Sequence, residues 1–190
     1  MAEKKKISSS YEIENYDEVF KKVCKRLNPK SILEIGILEG YSLNSFIRHT
    51  KSETKIMAID LFEDYPFKNS NYKSIKKMFS GFNNVNIERG NFFEYYKNSK
   101  KFDLIHIDIS NDGSIYEFAV NEYLPLANKA LVLEGGSVER DNVGWMKNYN
   151  KPKIHKFLDS LSEQYCYEVI DNFPSLTIFY RDPRDKIFFK

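Results

Sequence analysis

Gly36 and Gly40 stand four residues apart in the run Leu33-Glu34-Ile35-Gly36-Ile37-Leu38-Glu39-Gly40-Tyr41-Ser42. Glycines there let the backbone turn sharply and approach a ligand closely. A helix opening just after them would point free amide N–H groups at an anion. Four acids lie within or at the ends of short apolar runs: Glu34, Asp60, Asp108 and Glu134. Asp60 follows the glycine turn by about 20 residues, the spacing at which a carboxylate meets the two hydroxyls of a ribose. Each residue alone has a structural explanation, since glycines serve tight turns and strand-end acids serve as helix caps. Together they point to a site for a nucleotide-like ligand.

Such a site needs elements that bring strand ends together. In residues 15–27, Val19, Phe20, Val23, Cys24 and Leu27 recur at spacings of three and four, which predicts a helix ended by Asn28-Pro29. Residues 31–37, 55–61, 85–88, 102–108 and 129–134 read as buried strands. Residues 42–48, 72–79, 91–96, 115–124 and 154–164 read as the helical stretches between and after them. Two last strands, 167–170 and 175–180, flank Asn172-Phe173-Pro174 with too little chain for a crossover helix, so they pair antiparallel. Alternating strands and helices predict an α/β fold. The expected architecture is a doubly wound, mostly parallel seven-stranded sheet with an antiparallel C-terminal hairpin. In such a sheet ligands bind beyond the carboxyl ends of the strands, where these acids and glycines fall.

Composition narrows the function. The 190 residues carry 29 basic and 27 acidic side chains, a net charge of +2, which gives no electrostatic ground for a nucleic-acid or membrane partner. No apolar stretch reaches the roughly 20 residues of a membrane span. Cys24 and Cys166 form no disulfide framework or zinc spacing, so a reducing, cytoplasmic setting is expected. Residues 1–10, with Lys4-Lys5-Lys6 and Ser8-Ser9-Ser10, read as a flexible tail before one domain at 11–190.

The run from Leu33 to Ser42 resembles motif I of the class I S-adenosylmethionine-dependent methyltransferases. It is most similar to the Glu-x-Gly-x-x-x-Gly-Tyr-Ser form of the catechol-type and related small-molecule O-methyltransferases. Phe102-Asp103-Leu104-Ile105-His106-Ile107-Asp108 is similar to their fourth-strand motif, and the likeness extends over residues 31–180. The resemblance implies a Rossmann-like methyltransferase fold, S-adenosylmethionine as cofactor and methyl transfer to a small molecule, at oxygen in preference to nitrogen. It implies that Glu34 belongs to the cofactor site, that Gly36 and Gly40 let the backbone approach the methionine part of the cofactor, and that Tyr41 and Ser42 lie near its carboxylate. Asp60 would take the ribose hydroxyls, Leu61 would pack beside the adenine, and Asn91 and Phe92 would meet its edge and face. Asp108, the candidate catalytic residue, would lie below the sulfonium, where a carboxylate is favourable.

The chain also departs from that pattern. Metal-dependent members carry an Asp-Asn pair at the end of the fifth strand, and here Glu134-Gly135 stands in that place. Asp141-Asn142 follows later, so Asp108, Glu134, Asp141 and Asn142 were they gathered would suit a hard cation. Solvated loop charges are the expectation, and no metal site is assigned. The histidine that several related enzymes carry after the fourth-strand acid is missing, since Ile109-Ser110-Asn111 follows Asp108. His106 reads as a core or sheet-edge residue, and His49 and His155 as surface positions. Two other functions remain: a cofactor-binding protein of this fold without transfer activity, and a nicotinamide-dependent oxidoreductase. The second lacks the Gly-x-Gly-x-x-Gly turn it needs. The segments 63–71 and 135–151 are expected to roof an acceptor pocket, the latter with Trp145, Met146 and Tyr149.

Overall fold

The computed structural model describes residues 16–66, 70–161, 164–171 and 174–187. The predicted tail at 1–10 lies outside them, as do parts of the 63–71 roof and Asn172-Phe173. Helix α1 (Asp17–Leu27) leads into β1 (Ser31–Ile35), α2 (Tyr41–His49) and β2 (Lys55–Asp60). Next come α3 (Tyr72–Met78), β3 (Val85–Arg89), α4 (Phe92–Tyr95), β4 (Phe102–Ile107), α5 (Gly113–Phe118) and β5 (Ala127–Glu134). A connection carrying the short α6 (Gly144–Asn148) reaches α7 (Ile154–Leu161), then β6 (Cys166–Ile170) and β7 (Leu176–Tyr180).

The strands form one seven-stranded sheet in the order β3-β2-β1-β4-β5-β7-β6. The first five run parallel, while β7 lies antiparallel between β5 and β6. The predicted hairpin is present, with its second strand inserted inward. The order reverses at β1, whose neighbours are β2 and β4. That is the switch point where a doubly wound sheet opens a crevice at its strand ends.

Side chains alternate across the sheet because successive Cβ atoms point to opposite faces. Ile32, Ala58, Leu104 and Val132 pack with Phe20, Val23, Leu43 and Phe46 of α1 and α2. Leu33, Ile35, Ile59, Ile105 and Leu133 face the other way, against Tyr116, Tyr123, Ile154 and Leu158. Glu34, Asp60, His106 and Glu134 share the parity of the first set, so the strand-end acids gather on the face covered by α1 and α2. Asp17 ties those two helices together, accepting from Ser45 at 2.5 Å and Arg48 at 2.7 Å, with His49 at 3.0 Å.

Boundaries shift where capping overrides apolar spacing. Helix α5 starts at Gly113, two residues before its predicted start, because Asp112 accepts from the amides of Ser114 and Ile115. Its predicted far end becomes a π-turn over Ala119–Tyr123 and a 3-10 turn over Leu124–Leu126. Pro125 has no N–H for the carbonyl four residues earlier, so an α-helix cannot continue through it.

Candidate functional site

The glycine turn sits on the end of the fourth strand. Gly36 has φ +89°, and its N–H donates to the Ile59 carbonyl of β2 at 2.9 Å. A Cβ there would lie 1.9 Å from the Asp108 carbonyl oxygen. No other residue fits. Gly40 has φ +82°, and a Cβ there would meet the Phe79 ring at 2.7 Å. Gly40 therefore permits both the left-handed turn and close packing just where α2 begins.

Asp60 fixes this turn from the second strand. Its carboxylate accepts from the amides of Ile37 at 2.7 Å and Phe62 at 2.8 Å, with the Leu38 amide at 3.4 Å. It is thus already used by backbone. A carboxylate has about four acceptor positions, so a ribose contact would share oxygens that hold the turn. Leu61 is half-buried beside it, its carbonyl 3.4 Å from Arg89. Arg89, which the sequence reading did not single out, stands opposite Asp60 in the β2–β3 register. It reaches Glu63 at 2.5 Å and Asp64 at 3.2 Å and lies over the rings of Tyr72 and Phe62, clamping the segment after β2. Only the register shows that link.

Glu34 is fully buried, pairs in register with His106, and accepts from the Ser42 hydroxyl at the start of α2. His106 Nδ1 lies 3.7 Å from Glu34 Oε1, and the imidazole meets the rings of Phe20 and Phe46 edge-on. It is a core residue of a central strand, not of an edge. Glu34 Oε2 is buried with no hydrogen-bond partner among the described residues. A buried carboxylate oxygen left so is costly and fits a cofactor carrying an N–H donor. Tyr41 is half-buried and packs on the α1–α2 side of the core.

Both residues expected at the adenine end make contacts within the chain. Asn91 turns its side-chain oxygen to the Phe93 amide at 3.0 Å and caps α4. Phe92 is buried, with one ring face stacked on Tyr123 at 5.1 Å. Its neighbour Phe93 is the exposed ring of the pair. The apolar residue at this turn completes the core beneath α4 instead of presenting a face outward.

Asp108 follows the last residue of β4, its amide donating to the Ile35 carbonyl at 2.9 Å. Desolvation first, then the Glu134 carboxylate, push its pKa up to about 7, against the opposing pull of His106 and Arg140. Asn111, buried at the same strand ends, donates to the Ile107 and Glu134 carbonyls at 3.2 and 2.9 Å.

The donors weighed for a hard cation are not gathered. Glu134 is taken by Arg140 in a buried two-point pair, Nε–Oε1 2.5 Å and Nη2–Oε2 2.8 Å. Burial acts to lower the Arg140 pKa, but hydrogen bonds and charge from Glu134 outweigh it and raise it. Asp141 accepts from the amides of Ile154 and His155 at 2.9 Å each and meets the His155 ring at 2.5 Å, capping α7. Asn142 donates to the Val138 carbonyl. Among the described residues no three His, Cys, Asp or Glu converge as a metal would require. In the 135–151 segment Met146 is buried, Trp145 is half-buried over the Arg140 guanidinium, and Tyr149 is exposed. Cavity size does not mark this site. An open depression of about 630 Å³ lies at the opposite end of the sheet, where β2 and β3 begin, and holds no strand-end acid.

No family model and no curated protein matches the chain. Solved structures do. A methyltransferase from Podospora anserina, bound to S-adenosylhomocysteine, superposes with a TM-score of 0.67 at 17% identity, over 93% of this chain and 80% of its own. The O-methyltransferase TomG from Streptomyces achromogenes, in complex with S-adenosylmethionine, gives 0.64 at 14%, over 92% and 81%. The N-methyltransferase NodS from Bradyrhizobium japonicum gives 0.65 at 13%, over 91% and 97%. The chain has the Rossmann-like fold of the class I methyltransferases.

Proposed function

We propose that this chain is an S-adenosylmethionine-dependent methyltransferase acting on a small molecule, with oxygen as the acceptor atom. The observation that carries this reading is the glycine turn closed onto the backbone of Asp108, buttressed by Asp60 and backed by a buried Glu34 oxygen without a partner. Glu34, Gly36, Gly40, Tyr41 and Ser42 hold the methionine end, and Asp60 and Leu61 the ribose and its surroundings. Asn91 borders the adenine, while Phe92 supports that edge from the core. Asp108 faces the positive sulfur. The cofactor supplies an activated methyl group, and the protein contributes alignment of the acceptor and exclusion of water. O-methyltransferases such as TomG among the structural neighbours support oxygen, and NodS is an N-methyltransferase of similar fold.

The test is thermal unfolding with S-adenosylhomocysteine, S-adenosylmethionine and NAD. The two sulfur compounds should raise Tm and NAD should not. Asp60→Ala should remove most of that rise, because a charged hydrogen-bond acceptor contributes about 1.5–3 kcal/mol. The same variant should unfold earlier without ligand, since Ile37, Leu38 and Phe62 lose their acceptor. Stabilisation by NAD alone would end this reading.

A further inference from the structure

Arg140 is a buried cation with one nitrogen left over. The residue is 6% exposed, and two of its nitrogens are bound to Glu134. Its third, Nη1, is buried and has no hydrogen-bond partner among the described residues. A guanidinium N–H left so forfeits solvation that folding does not return, so such a group is expected to serve a ligand. The surroundings show which. Arg140 caps its own turn through Ser137, whose hydroxyl accepts from the Arg140 amide at 3.1 Å, so its backbone is fixed. Glu134 fixes the guanidinium plane. Trp145 covers it with the ring centroid 5.2 Å from Cζ. Asn111 Oδ1, another buried atom without a partner, belongs to the side chain that bridges β4 and β5 beside Glu134.

We infer that Arg140 Nη1 is the receptor for a carboxylate carried by the methyl acceptor, admitted when Trp145 moves aside. This rests on the methyltransferase reading for the word acceptor, though the anion site itself does not. The planar, fixed fork of arginine suits a planar carboxylate. Val138 and Tyr149, on the same connection as Trp145, are exposed.

Trp145 is the sole tryptophan, so its fluorescence reports on this place alone. The intact chain is titrated with acetate, benzoate and phenylacetate, and with acetamide, benzamide and phenylacetamide as neutral counterparts. At least one acid should change Trp145 emission saturably, with its amide at least tenfold weaker. Arg140→Lys should weaken the response about tenfold. The double variant Glu134→Gln/Arg140→Gln, which leaves no buried unpaired charge, should abolish it while keeping cooperative unfolding. Equal responses to acid and amide, a response surviving in the double variant, or silence across all six compounds would each overturn the inference. Calorimetry with S-adenosylhomocysteine on the same sample separates the two readings. Its failure with the carboxylate response intact removes the methyltransferase reading and leaves the anion site standing.

Discussion

Asp108 holds its proton to about pH 7, far above the ordinary carboxylate value of 3.8, because desolvation and Glu134 both oppose its charge. Between about pH 4 and 7 the folded chain therefore binds a proton that the unfolded chain has lost. Stability contributed by this group is complete below the lower value and falls as pH rises through the upper one. Asp108→Asn should remove that fall and raise Tm at pH 8 by roughly 5 °C, equivalent to on the order of 2 kcal/mol for a chain of this size. The same carboxylate should read the cofactor's charge. S-adenosylmethionine carries a sulfonium and S-adenosylhomocysteine does not, so the ratio of their affinities should rise roughly tenfold from pH 6 to 8 as Asp108 ionises. Calorimetric titrations of both compounds across that range check this, and a ratio that stays flat would remove Asp108 from beneath the sulfur.

At the scale of elements, the sequence announces strands and helices through spacing but is silent on which side chain locks which segment. The β-branched runs ending in Asp60, Asp108 and Glu134 are legible because buried parallel strands need continuous apolar residues. The glycine turn is legible because φ values near +85° exclude most other residues. Asp141 is not legible. It looks like a solvated acid and works as the cap of α7 from 13 residues upstream. No local pattern encodes such a link, since the chain between is free to place Asp141 anywhere. Arg89 with Glu63, and Arg140 with Glu134, are hidden for the same reason. Phe92 is legible as the aromatic of this turn, but its stacking on Tyr123 is not. Asp141→Ala should cost about 1–2 kcal/mol, lowering Tm by roughly 2–8 °C and speeding proteolysis within 137–150. An unchanged Tm would mean that α7 needs no outside cap. Binding of S-adenosylhomocysteine should persist, because the glycine turn and Asp60 lie on other elements.

For the molecule as a whole, the gathering of Glu34, Asp60, His106 and Glu134 on one face of four adjacent strands raises the question of what balances the negative charge. Three answers are available at such strand ends: a bound cation, protonation or a basic side chain. The last two are seen among the described residues, with Asp108 protonated into the neutral range and Arg140 fixed against Glu134. A magnesium ion there would have to displace Arg140 from Glu134 and leave a buried guanidinium unpaired, a loss of about 3–5 kcal/mol. Restoring the Asp-Asn pair of the metal-dependent enzymes is also blocked. Gly135 has φ +105°, and a Cβ would come within 2.8 Å of Ile154 Cδ1, so Gly135→Asn should destabilise the fold without creating a site. Neither EDTA nor added magnesium should then alter the Tm rise given by S-adenosylhomocysteine, and methyl transfer should proceed equally in both. Transfer that stops with EDTA and returns with magnesium would show that the acids prefer a metal to Arg140. Arg140→Gln should in that case bind magnesium more tightly, since the ion's competitor for Glu134 would be gone.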